Sequence, residues 1–101
     1  MISVYAPALA DNFQFYYKNA SNVTYLSYES IRLYDKNNTV VFSGFTDKFG
    51  RIVTKVKAGT YVCRIVYQKR EYKISLTIDN KADFKTVYFG SSIKPYLIKR
   101  V

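Results

Sequence analysis

In the run Tyr72-Lys-Ile74-Ser-Leu76-Thr-Ile78 every second residue is apolar and every residue between them is polar. Successive side chains of a β-strand point to opposite faces, so this period of two specifies a strand with one dry and one wet side. A helix would need apolar residues three and four apart, and no such period persists beyond a single turn. Just upstream, Tyr61, Cys63, Ile65 and Tyr67 share one face while Val62, Arg64 and Val66 share the other. The first set is placed inward, and residues 68–70 become the hairpin connection to the next strand. The alternation continues through Ile31 and Leu33, then Val40, Phe42 and Gly44, then Ile52, Thr54 and Val56. Residues 13–17, 23–28, 84–89 and 96–98 are further strand candidates. Strands recurring at this spacing predict an all-β antiparallel sandwich of about seven to nine strands.

A chain of 101 residues, 49% apolar and 18% aromatic, suits one folded domain with a real core. We read residues 22–90 as the sandwich, residues 1–21 as an N-terminal arm or edge strand, and residues 91–101 as a basic C-terminal arm or edge strand. Pro7 interrupts Ala6-Pro-Ala-Leu-Ala, too short for a stable helix. Cys63 is the one cysteine, so no intramolecular disulfide helps the core. Residues 1–20 lack the pattern of an export signal, and no run approaches the ~20 apolar residues of a membrane-spanning helix. Synthesis in the cytoplasm is the expectation.

The most distinctive stretch is Thr46-Asp47-Lys-Phe-Gly50, followed after one strand by Gly59-Thr-Tyr61. An aspartate at the head of a turn accepts backbone N–H groups, glycine supplies a positive φ, and a tyrosine re-enters the core as the next strand begins. This order and spacing resemble the carboxypeptidase regulatory-like and collagen-adhesin B-type repeats, which are transthyretin-like, immunoglobulin-like β-sandwiches. The resemblance covers about half of the chain and implies an immunoglobulin-like fold, with little about activity.

Histidine is absent, which removes the usual general base and the commonest metal ligand. Cys63 lies on an inward face, and the four glycines fit strand and turn geometry better than a phosphate-cradling loop. Asp35 and Asp47 offer too few oxygens for calcium and read as turn caps. No enzyme, metal or cofactor is expected. A formal charge of +9 points instead to acidic partners or polyanions. The expected function is a non-catalytic structural or interaction module, an accessory protein of a virion that binds the capsid or another assembly component. Small immunoglobulin-like decoration proteins of phage capsids and tails resemble this chain in size and organisation. Homo-oligomerisation and nucleic acid stand as further partners, and a nucleic-acid-binding β-domain or an adhesion or carbohydrate-binding module as alternative functions. The candidate partner-binding residues are Arg32, Lys55, Arg64, Lys73, Tyr96, Lys99 and Arg100. For nucleic acid, Lys85 joins the outward cations and Tyr34 supplies a stacking ring, although most aromatics are assigned inward.

Overall fold

A computed structural model describes residues 11–80, 84–91 and 93–100, with residues 99 and 100 described by backbone alone. The described residues form strands β1 (Asp11–Asn19), β2 (Asn22–Tyr25), β3 (Ser30–Tyr34), β4 (Val40–Phe45), β5 (Arg51–Thr54), β6 (Gly59–Tyr67), β7 (Arg70–Ile78), β8 (Phe84–Gly90) and β9 (Ile93–Arg100). They make two sheets, as expected for an all-β sandwich. One has the order β4-β3-β6-β7; the other has the order β2-β1-β8-β9, with β5 also paired to β1. Every pairing is antiparallel except β1 with β8, which run parallel from Asn12 opposite Phe84 to Tyr17 opposite Phe89. Among the described residues no helix is long and apolar enough to cross a membrane.

Strand β1 corrects the expectation of an N-terminal arm or edge strand. Its first half pairs with β5, its second half with β2, and its other edge with β8 along most of its length, so it is interior to its sheet. The reason is visible in its own residues. Phe13, Phe15 and Tyr17 alternate onto the dry face and are all buried, and a strand buried this deeply must satisfy its backbone on both edges. The part of that segment before Asp11 lies outside the described residues. At the other end, β9 is the outermost strand of its sheet among the described residues.

The alternating faces close into one core. Ile31 and Leu33 of β3, Cys63 and Ile65 of β6, and Ile74, Leu76 and Ile78 of β7 meet Phe13, Phe15 and Tyr17 of β1 and Val87 and Phe89 of β8. Burying each large apolar side chain contributes about 1.5–3 kcal/mol. At one end the core is aromatic: Tyr17 packs on Tyr67, Tyr72 and Phe89 with ring centroids 4.7, 6.1 and 5.7 Å away.

The turn before β5 is built as its residues suggest. Asp47 Oδ1 accepts the N–H groups of Phe49 and Arg51, both at 2.8 Å, and its Oδ2 takes the Arg51 guanidinium at 2.9 Å. The backbone hydrogen bond from Arg51 is the main reason that the Asp47 carboxyl titrates below its usual range. Gly50 has φ 76°, and Thr46 ties the turn to the preceding segment by accepting the Glu29 N–H at 2.9 Å. In the β3–β4 turn, Asp35 Oδ1 accepts the N–H groups of Asn37 and Thr39, and Asn38 adopts φ 62°.

Between β6 and β7 the two turn residues, Gln68 and Lys69, have φ 51° and 64°. Both positions favour asparagine and glycine, and each ordinary residue there costs about 1–2 kcal/mol. Replacing the pair as Gln68→Asn/Lys69→Gly should therefore raise stability by about 1 kcal/mol. Urea denaturation would show this as a higher midpoint with an unchanged slope; an unchanged midpoint would mean that the hairpin tolerates the native pair without strain.

Candidate partner-binding faces

Three of the cations expected to bind a partner share one line across the outer face of the β4-β3-β6-β7 sheet. Arg32 of β3 lies opposite Arg64 of β6, which lies opposite Lys73 of β7, and Ser43 of β4 completes the row. Each lies between buried or half-buried neighbours in sequence, so strand alternation turns it outward. Arg64 is half-buried. Its guanidinium carbon sits 4.0 Å from the centre of the Tyr34 ring, its Nη2 donates to Asn38 Oδ1 at 2.7 Å, and its Nε is sealed from solvent with no acceptor among the described residues. Stacking and the asparagine hold the charge in place, at a worth of about 0.5–2 kcal/mol for the cation–π contact. Lys73 lies 3.9 Å from Glu71, both at the surface, a contact too exposed to neutralise it. A shallow hollow of about 280 Å³ opens between Ser30, Arg32, Tyr34, Arg64, Val66 and Glu71.

Tyr96 lies on the opposite side of the molecule, within a row that individual strand assignments did not reveal. Tyr25 of β2 is in register with Tyr16 of β1, Tyr16 with Tyr88 of β8, and Tyr88 with Tyr96 of β9. Successive ring centroids are 5.4, 5.1 and 4.9 Å apart, with interplanar angles of 34°, 13° and 19°. Tyr16 lies between the inward Phe15 and Tyr17, which puts it, and the row with it, on the outer face of the sheet. The assignment of most aromatics to the interior is corrected for these four. The one signal in the sequence was the count of 11 tyrosines, which favour half-buried strand surfaces.

Lys85 is a second correction. It was expected to point outward, yet it shares the inward face of β8 with Val87 and Phe89 and is buried. Its ammonium pairs with the fully buried Asp11 carboxylate, lies 3.1 Å from Asp79 Oδ1, and reaches the Thr77 carbonyl at 3.4 Å. Asp11 in turn accepts the N–H groups of Asp79 at 3.2 Å and Asn80 at 2.8 Å, so the cluster joins the two sheets at one end of the core. Lys55 is exposed in the β5–β6 connection, outside the cationic row. The side chains of Lys99 and Arg100 lie outside the described residues.

Burial pushes the Cys63 thiol from its ordinary 9.0 up to about 12, which keeps it neutral and unreactive. A larger hollow, about 500 Å³, lies among Phe13, Phe45, Ile52, Val53 and Phe84, but its cation, Arg51, is already held by Asp47. The geometry therefore offers two surfaces, one cationic and one phenolic, on opposite sheets. No protein-family model and no curated protein matches the chain, so the functional reading rests on these two faces.

Proposed function

We propose that this chain is a non-catalytic interaction module that docks onto an acidic surface of a larger assembly through Arg32, Arg64 and Lys73. The observation that carries this reading is their shared register on one open sheet face, with Glu71 the acid beside them. Three cations fixed on adjacent strands form a flat positive strip, and Arg64 is held by its ring and asparagine contacts, so little side-chain freedom is lost on binding. The net charge of +9 adds long-range attraction to any acidic surface. Following the likeness in size and organisation to decoration proteins, the assembly we infer is a virion, with the chain made in the cytoplasm and added to the particle.

The test compares the wild-type chain with Arg32→Ser/Arg64→Ser/Lys73→Ser for co-sedimentation with virions from cells that carry the gene. Wild type should sediment with particles, and the triple variant should bind about tenfold or more weakly at moderate salt. In parallel, both are titrated against a single-stranded DNA oligonucleotide. Tight DNA binding by the wild type, with a log–log salt slope near about −2 for three phosphate contacts and no association with particles, would replace this reading with a nucleic-acid one.

A further inference from the structure

Arg32, Arg64 and Lys73 stand directly opposite one another on adjacent strands, an arrangement in which like charges destabilise a sheet. Among the described residues neither arginine forms an ion pair, and Glu71 reaches Lys73 alone, at 3.9 Å. The repulsion between the two guanidiniums is therefore uncompensated in the isolated chain. The hollow of about 280 Å³ opens at this place. Arg64 is fixed on one side of it: with Nε sealed and Nη2 donating to Asn38, Nη1 is the nitrogen left for a partner. Arg32, exposed, adds a second guanidinium, and Ser30 adds a hydroxyl donor. Val66, 60% exposed, and Tyr34 give the same hollow apolar wall.

We infer that this hollow receives the carboxylate of a glutamate side chain on the partner protein. The inference rests on the docking reading above and names the group that docks. Guanidinium donors from two strands suit a planar carboxylate, which accepts from both and removes the repulsion between them. The methylenes of the glutamate stem lie against Val66 and Tyr34, where apolar contact excludes water. A phosphate monoester fits worse, because it carries close to two charges and Glu71 lies on the rim. A nucleic-acid strand fits worse too, since a base needs an open ring to stack on and Tyr34 is already covered by Arg64. For the isolated side chain, one charge-assisted contact of this kind corresponds to a dissociation constant of about 20 mM.

The probe is N-acetylglutamate α-amide, a monoanion with this side chain and neutral ends, added to the full chain at constant ionic strength. Followed by circular dichroism, about 100 mM of it should raise the melting midpoint by about 4–8 °C over sodium chloride alone. Arg32→Thr should remove that shift. In about 20 mM salt the same variant should itself melt higher than wild type, a gain that fades by about 500 mM as screening weakens the repulsion. Lys55→Thr, an equal loss of charge away from the hollow, should keep the shift. A probe no better than chloride, an equal shift in Arg32→Thr, no gain for that variant at low salt, or stronger protection by inorganic phosphate would each overturn the inference. The melts need no particles, so the two readings fail separately. A chain that shifts with the probe but does not sediment with virions would keep the hollow and displace the virion as its assembly; one that sediments without any shift would keep the cationic strip and remove the glutamate.

Discussion

Lys85→Met should cost about 3–5 kcal/mol, the typical loss when one partner of a buried ion pair is removed. Asp11 is wholly inaccessible to solvent, and the Lys85 ammonium is the cation that its carboxylate meets in the core. Without it, Asp11 keeps the N–H groups of Asp79 and Asn80 but carries an uncompensated charge out of water. Since domains of this size are stable by only about 5–15 kcal/mol, a large part of the total is at stake. Asp11→Leu/Lys85→Met should recover part of the loss, because an apolar pair of similar volume replaces both charges, although the two N–H groups lose this acceptor. Equilibrium urea denaturation of the two variants decides it. A single variant within about 1 kcal/mol of wild type would mean that Asp11 is not the isolated charge this geometry makes it.

The second large effect belongs to Gly50→Ala, expected to destabilise by about 3 kcal/mol. At φ 76° any side chain is strained, and a Cβ there would also lie 2.5 Å from the Phe15 carbonyl oxygen and 3.1 Å from the Leu26 nitrogen. Neither can withdraw easily: Phe15 donates its N–H to Gly50 O at 2.9 Å, and Leu26 donates to Phe15 O at 3.0 Å. Gly44→Ala is the control. Its added Cβ meets the Phe42 ring and the tip of Ile52 at 3.1–3.3 Å, side-chain atoms that can give way, so a loss below about 1 kcal/mol is expected. Equal losses at the two glycines would remove the backbone explanation.

What the sequence disclosed and what it concealed follow from the range of the interactions involved. Strand alternation is local, so the dry faces of β6 and β7 could be assigned from Cys63, Ile65, Ile74, Leu76 and Ile78 alone. The turn chemistry of Asp47 and Gly50 is equally local. Strand β8 was harder because residues on both of its faces, from Lys85 to Val87 and again at Phe89 and Gly90, are buried; no wet side marks which way Lys85 points. Its partner Asp11 lies 74 residues away. The same limit hid the tyrosine row: Tyr16, Tyr25, Tyr88 and Tyr96 become neighbours only through the register of four strands, one pair of them parallel. Of the cations, Arg32, Arg64 and Lys73 were correctly placed on an outer face, but their alignment depended on the β3–β6 and β6–β7 registers.

The central position of β1 also sets the order in which the chain can fold. The β4-β3-β6-β7 sheet draws on residues 30–78 and contains two tight hairpins, so its pairings close short loops and form early. Strand β1 must wait for β8. At a synthesis rate of about 5–20 residues per second, the 74 residues separating Asp11 from Lys85 correspond to about 4–15 s. Through that interval Phe13, Phe15 and Tyr17 lack half of their sheet, and they become an unprotected sticky segment on the nascent chain, the place where a chaperone would bind and where premature association would begin.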